Sequence, residues 1–296
     1  GCPHLSKIAE GAFSSYEERI DAKKIRTRSE SFVDFFSQPA LFYRSLAEWE
    51  KSHVADAYSF ELGKCNHEHI QKRMLWMVAQ IDEDLAEKVA KNLGLKVPDD
   101  IDRPINQAIG ADSDVDAFQP GPKKNYLDES PALSQANTKF ETIATRQIAV
   151  LAGNGFNMEN FKPMKAALEN GNAVVKIVAP HGGSIKCDTD MEHKVAASID
   201  TTESVLYDAV YIPGGQSSID ALLENSKFVK FINEALKHCK AIAADDEAEK
   251  LLKKTYVSEF KDDAAICLNS DPKDFVKAIA QHRNWERMKQ ASSIPV

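Results

Sequence analysis

From Arg146 onward the apolar residues gather in short, nearly continuous runs: QIAVLA (147–152), AVVKIVA (173–179), DAVYIP (208–213), KAIAA (240–244) and AAICL (264–268). Strands read this way when both faces of a sheet are covered. Helical stretches lie between them around 158–170, 217–238 and 246–254, and a last helix follows Asp271. Pro272 suits the first turn of that helix, and Phe275, Val276, Ile279 and Ala280 give it an apolar face. Strands alternating with helices predict an α/β fold: an open, doubly wound parallel sheet with right-handed crossovers.

Before residue 99 the period is helical. SLAEWEKSHVADAYSFELGK opens with Ser45 and Glu48 at the spacing of a capping box, in which each side chain satisfies the other residue's free backbone donor. Gly63 is placed to end that helix. Ile70, Met74, Met77, Val78 and Ile81 predict one buried helical stripe. Asp82 caps a further helix with Leu85, Val89 and Leu93 on one face, stopped by Gly94 and Pro98. Residues 99–145 hold Pro104, Pro120, Pro122 and Pro131 among Asp, Ser, Gln and Asn, with no sustained period. Such a stretch buries too little apolar surface to offset the entropy of ordering, so it reads as an extended linker. The expected organisation is an all-α segment over 1–98, a linker over 99–145 and an α/β domain over 146–296.

The chain has 296 residues, of which 43% are hydrophobic, and a net charge of −8. It can build a sizeable core, and no apolar run approaches the ~18 residues of a membrane span. The acidic balance argues against a general nucleic-acid binder, which needs a basic face. Cys2, Cys65, Cys187, Cys239 and Cys267 are odd in number and scattered, with no CxxC pair. Free thiols are therefore expected, as in a reducing compartment, rather than a disulfide framework. A start at Gly1 without a basic and apolar leader suggests a trimmed or excised piece.

Ligands of open α/β sheets sit beyond the carboxyl ends of the strands. Those ends are Gly153–Asn157, His181–Gly183, Gly214–Gly215, Asp245–Asp246 and Asn269–Ser270. Gly153 and Gly155 lack a third glycine, and no acid follows the second strand, so a glycine turn is expected there rather than a dinucleotide site. Gly214 and Gly215 precede a helix start, where their amides suit either an anion, as in an oxyanion hole, or simple turn geometry. Cys65 and His69 share a helix face without a distant partner pair, and His181, Cys187 and His193 match no common zinc spacing. A capped helix start and an ordinary polar loop are the expectations. Asp245 and Asp246 stand where a strand turns into a helix, a favoured mount for a nucleophile. No Ser, Cys or Thr lies between Ala241 and Lys254. The two acids read either as a catalytic carboxylate pair or, more ordinarily, as a helix cap.

KIRTRSESFVDFFSQPALFYRSLAEWEKSHVADAYSFELGK (24–64) and IQKRMLWMVAQIDEDLAEKVAKNLGL (70–95) strongly resemble the helical segment that follows the haem-binding part of large-subunit catalases. RQIAVLAGNGFNMENFKPMKAALENGNAVVKIVAPHGG (146–183) and YDAVYIPGGQSS (207–218) are similar to the flavodoxin-like domain those enzymes append. That domain is itself similar to the PfpI-type, class I glutaminase-like superfamily. The resemblance covers nearly the whole chain and looks closest to the fungal enzymes. It implies the C-terminal portion of a catalase, with the haem, its distal His and Asn and its proximal Tyr all lying upstream. Tyr43 has no Arg four residues before it, so no cofactor and no metal is expected in this chain.

In the PfpI-like relatives a strand-end cysteine is the nucleophile and a Glu after the first strand bonds to it. Here the resemblance puts Asp245 or Asp246 at the elbow and Asn157 at the Glu position, while Cys239 precedes the strand. It implies that the inherited nucleophilic chemistry is lost. The implied partners are the haem domain and the sister subunits of a homotetramer. For the isolated chain the resemblance suggests holding of unfolded client proteins, with Phe32, Phe35, Phe36, Leu41, Phe42 and Trp49 as the surface. The alternatives are a residual hydrolase or glyoxalase-like activity using Asp246 and His181, and flavin or nucleotide binding by analogy of fold.

Overall fold

The structure, a computed structural model, describes residues 17–24, 29–138, 140–291 and 293–295. Cys2 lies outside the described residues.

Four helices open the fold: α1 (Ser37–Ser45), α2 (Glu48–Gly63), α3 (Glu68–Ile81) and α4 (Glu83–Leu93). They close on a core of Tyr43, Leu46, Leu62, Leu75, Val78, Leu85 and Val89. Asp82 caps α4 as its position predicts, its Oδ1 accepting from the Leu85 amide at 3.0 Å. Gly94 leaves α4 with φ of 68°, a left-handed turn that costs glycine nothing.

Two expectations fail here. Ser45 does not open α2; it closes α1, with its hydroxyl donating to the Leu41 carbonyl at 2.7 Å. The cap of α2 comes instead from Glu50, whose Oε2 accepts from the Ala47 amide at 2.8 Å. The stripe on α3 is also displaced. Leu75 and Val78 are its buried residues, Met74 and Ile81 pack at the margin of the core, and Ile70 is exposed. The core meets α3 on a narrower line than the spacing implied.

Among the described residues of 99–145 the only regular elements are short 3-10 turns, yet the stretch is strapped onto the helices rather than free. Arg73 donates to the Pro104 carbonyl at 2.7 Å and Lys123 to that of Ile81 at 2.9 Å. Arg44 reaches the carbonyls of Leu127 and Asp128, both at 3.0 Å. The buried Glu50 accepts from the Ser134 hydroxyl at 2.6 Å and the Gln135 amide at 2.8 Å. Hydrogen bonds to helix side chains supply the order that apolar burial does not.

The remainder is an α/β sandwich. Its strands are β1 (Gln147–Leu151), β2 (Val174–Ala179), β3 (Ser184–Lys186), β4 (Glu192–Lys194), β5 (Ala197–Ser198), β6 (Ala209–Ile212), β7 (Ala241–Ala244) and β8 (Ile266–Leu268). Its helices are α5 (Met158–Asn170), α6 (Gln216–Leu223), α7 (Ser226–Lys237), α8 (Glu249–Leu252), α9 (Pro272–Ala280) and α10 (Met288–Ala291). Six strands form one parallel sheet in the order β5-β2-β1-β6-β7-β8. Apart from the short edge strand β5, this is the flavodoxin-like order, with its switch point between β1 and β6.

Alternate residues of β1 point to opposite faces. Ile148 and Val150 join a core with Phe161, Leu168 and Phe275, while Ala149 and Leu151 join Ile219, Phe231 and Ile242 on the other side. Two local readings change. The stretch 217–238 is two helices, because Asn225 interrupts it and caps α7 through the Lys227 amide at 3.0 Å. The polar loop after His181 is a β3–β4 hairpin that sets Ile185 opposite His193.

Beyond α9 the chain is pinned by Arg287, whose buried guanidinium grips both oxygens of Asp263 at 2.7 and 2.9 Å. The same segment presents Trp285, which stacks on Trp49 of α2 with ring centroids 4.4 Å apart. Among the described residues no helix is long and apolar enough to cross a membrane.

Candidate functional site

The elbow after β7 is built around Asp245. Its backbone is extended, with its amide donating to the Ile212 carbonyl at 3.1 Å. That geometry turns the carboxylate sideways, toward the loop after β6. Oδ2 accepts from the Gly214 amide at 2.8 Å and from the Tyr211 hydroxyl at 3.0 Å. The Gly214 carbonyl in turn accepts from the Asn157 amide at 2.7 Å. Asn157 caps α5, its Oδ1 accepting from the Asn160 amide at 2.9 Å. Gly215 has φ of 111°, and a Cβ there would collide with the Gly155 carbonyl oxygen and come within 2.8 Å of the Phe156 Cα. Only glycine fits. Asp245, Gly214 and Asn157 thus knit together the loops at the carboxyl ends of β7, β6 and β1, across the crevice where ligands of such sheets bind.

Burial raises the Asp245 pKa; the Gly214 and Tyr211 hydrogen bonds oppose it and the Glu247 charge adds to it. Burial, and then the Asp245 charge, push the Tyr211 phenol well above its ordinary value, so it stays protonated and donates. Asp246 is exposed and accepts none of these bonds. No side-chain cap forms at this turn; the Ala248 amide goes to the Asp245 backbone carbonyl at 3.0 Å. The expectation of an acid capping a helix gives way to an acid clamping a neighbouring loop.

Other expected site residues are not brought together. His181 is exposed at the end of β2, its Nδ1 2.9 Å from the carbonyl of Gly182. In the sheet β2 and β7 are three strands apart, about 14 Å at ~4.8 Å per strand, so His181 and Asp246 do not share a site. Cys187 is buried, its sulfur 3.0 Å from the Thr189 hydroxyl. His193 packs on the rings of Phe156 and Phe161, at 5.1 and 5.9 Å, with a buried Nε2 that has no partner. Its burial lowers its pKa and favours the neutral ring. Cys65 and His69 flank the start of α3, where His67 holds the N-cap position. Among the described residues no group of His, Cys, Asp or Glu is arranged for a metal. Cys239 is buried ahead of β7 with its thiol pushed up to about 11, chiefly by burial, which makes it a poor nucleophile. Tyr43 lies in the helical core, its hydroxyl buried without a partner and Pro39 four residues before it.

Sequence reasoning gave no sign of a second feature. A cleft of 1320 Å³ opens between the helical segment and the sheet domain, lined by Trp49, His53, Lys237, Lys240, Arg283 and Trp285 among others. These residues come from three distant stretches of the chain, so no local motif announces them.

Residues 29–93 match the family described as catalase-related immune-responsive, and residues 144–289 match the C-terminal domain found in long catalases. The chain belongs to the large-subunit catalases. It corresponds to their C-terminal portion. It is 38% identical over 291 residues to Catalase HPII of Pseudomonas putida, covering 97% of this chain and 38% of that protein. It is 34% identical to Catalase-2 of Bacillus subtilis, covering 96% and 39%, and 28% identical to Catalase-1 of Neurospora crassa, covering 97% and 40%. The chain therefore spans about two fifths of the length of these catalases. Their identities do not single out the fungal enzymes, toward which the sequence resemblance leaned.

Proposed function

We propose that this chain is a structural module of a hydrogen-peroxide-decomposing catalase, without an active site of its own. The observation that carries this reading is the commitment of the Asp245 carboxylate to the Gly214 amide and the Tyr211 hydroxyl. Where related folds mount a nucleophile, this one has a strut. In the longer enzyme the module would pack against the haem domain and help hold sister subunits in a homotetramer. On its own it releases no oxygen from peroxide at stoichiometric haem; turnover above the buffer blank would overturn the assignment.

A second activity, ATP-independent holding of unfolded chains, is supported by the aromatic surface of the helical segment. Phe32 is 62% exposed and Phe60 67%, with Phe35 and Phe42 also exposed. Exposed apolar side chains bind partners where they form a patch. Phe36 is buried and Trp49 is engaged by Trp285, so neither belongs to that surface. The net charge of −8 would keep a loaded complex soluble. The chain should delay heat aggregation of an unrelated enzyme without nucleotide. Replacing Phe32, Phe42 and Phe60 by Ser should remove most of that protection. Protection no better than an equal mass of serum albumin ends the holding role and leaves the structural one.

A further inference from the structure

Cations converge on the cleft between the helical segment and the sheet domain, and most of the acids near them are paired with other cations. Lys237 ends α7, Lys240 leads into β7 and Arg283 follows α9, and all line the same cavity. Lys240 is only 3% exposed, and its ammonium donates to one group, the Ser204 carbonyl. An ammonium has three protons to place, so this buried charge is under-satisfied. The Arg283 guanidinium donates to the His282 carbonyl at 2.9 Å and lies 3.2 Å from its ring nitrogen, not against an acid.

The nearby acids are engaged elsewhere. Glu48 pairs with Lys51 at 2.9 Å, Glu286 with Lys289 at 3.0 Å, Asp208 with Arg146 at 3.0 Å and Glu234 with Lys230 at 3.4 Å. Only the exposed Asp56 remains among the cleft acids as a counter-charge. The cations also act on one another. Burial first, and then the Arg283 charge, lower Lys240 to about 8, against the smaller opposing charges of Asp208 and Glu234. Burial and the Lys240 charge likewise lower His238, which lines the same wall. In a chain of net charge −8, this local excess of positive charge is compensated best by a bound anion.

We propose that the cleft binds an oligophosphate anion, held by Lys237, Lys240 and Arg283 beside the Trp49–Trp285 stack. The volume of 1320 Å³ suits a ligand larger than a single oxyanion, and several separated cations suit one that carries several charges. The guanidinium fork matches phosphate oxygens two at a time. The oligophosphate could be free or carried by a nucleotide, whose base would find a flat apolar wall in the two indoles. This inference does not depend on the holding activity proposed above.

Titration of the whole chain with tripolyphosphate, ATP and adenosine, followed by calorimetry and tryptophan fluorescence, tests it. Tripolyphosphate and ATP should bind one to one, and several-fold more weakly when salt rises from about 0.05 to about 0.3 M, because the contacts are charged. Arg283→Ala and Lys237→Glu should each weaken binding about tenfold or more, as loss of a charge-assisted contact does. Lys162→Ala, on the exposed face of α5 and outside the cleft, should leave it unchanged. ATP binding well above tripolyphosphate identifies the nucleotide as the source, and equal affinities identify free oligophosphate. Adenosine binding as tightly as ATP overturns the proposal. So does wild-type affinity in both cleft variants, or an equal loss in Lys162→Ala. Circular dichroism checks each fold, and Lys237, half-buried on the surface, keeps the test readable if Arg283→Ala unfolds.

Discussion

Trp49 lies flat on Trp285, with ring planes 17° apart and centroids separated by 4.4 Å. One indole belongs to the second residue of α2 and the other to a turn near the end of the chain. Around them Phe140 meets His282 edge-on at 6.0 Å and carries the Arg146 guanidinium over its ring at 5.2 Å. This aromatic seam joins the helical segment to the sheet domain. An aromatic pair contributes about 0.5–1.5 kcal/mol beyond the area it buries. A double-mutant cycle of Trp49→Ala and Trp285→Ala, read by urea unfolding, should return a coupling in that range. Additivity within about 0.3 kcal/mol would mean that the two segments stand independently.

Asp245 and Asp246 should separate cleanly on mutation. Asp245→Ala strands the Gly214 amide and the Tyr211 hydroxyl, and leaving such buried donors unpaired costs about 1–3 kcal/mol each. Asp246→Ala removes an exposed side chain and should stay within about 0.5 kcal/mol. Asp245→Asn keeps an acceptor and should recover much of the loss. Burial makes the folded Asp245 site hold its proton more tightly than the unfolded chain, whose value is near 3.8. Its contribution is therefore full below 3.8 and is lost as pH rises through the raised folded value. The difference between wild type and Asp245→Asn should fade in that direction. A difference that grows with pH would contradict the burial.

Lys240 has the opposite linkage. Its folded pKa is near 8 against an ordinary 10.5, so the unfolded chain holds the proton more tightly between those values. Stability is reduced below about 8 and is regained as pH rises toward 10.5. The full span corresponds to roughly 3 kcal/mol. Cys239 and Cys267, pushed from 9 up to about 11, lose stability as pH rises through an overlapping window. They are common to wild type and Lys240→Met, so the difference curve isolates the lysine. Wild type should gain on Lys240→Met from pH 8 to 10.5. Parallel curves would show that the ammonium is not buried.

The sheet was legible because both its faces are covered. AVYI of β6 and AIAA of β7 are fully buried and read as unbroken apolar runs. The cap that Asp82 sets on α4 was legible too. What failed depended on groups far along the chain. Ser45 and Glu48 have capping-box spacing, but the acid that caps α2 is Glu50, fixed by Ser134 and Gln135 from the strap. An acid at the end of β7 was visible, but its direction was not. Whether Asp245 faces forward to its own helix or sideways to Gly214 is decided by a loop from the neighbouring strand. The cleft was illegible for the same reason, since its cations meet only after the last turns fold back across the end of α7.

The strap over 99–145 should be cut at one place rather than along its length. Asn106 and Gln119 bond to each other, the Gln119 amide donating to the Asn106 carbonyl at 3.0 Å and its Oε1 accepting from the Asn106 amide at 3.2 Å. Between them residues 107–117 form a loop that is exposed almost throughout. Beyond the neck the chain is held again: Lys123 by the Ile81 carbonyl and the Lys124 amide by the Ser37 hydroxyl at 2.6 Å. Proteases need locally open backbone, which concentrates at exposed loop tips. Proteinase K should therefore cut first within 107–117, while trypsin should be slow at Lys123 and Lys124 despite the proline-rich composition around them. The nicked halves should still co-elute on gel filtration, because the cut leaves the Glu50 clamp and the Trp49–Trp285 stack intact. First cuts at 123–138, mapped by mass spectrometry, would mean that the strap is loose and that the two segments are joined by little more than the chain.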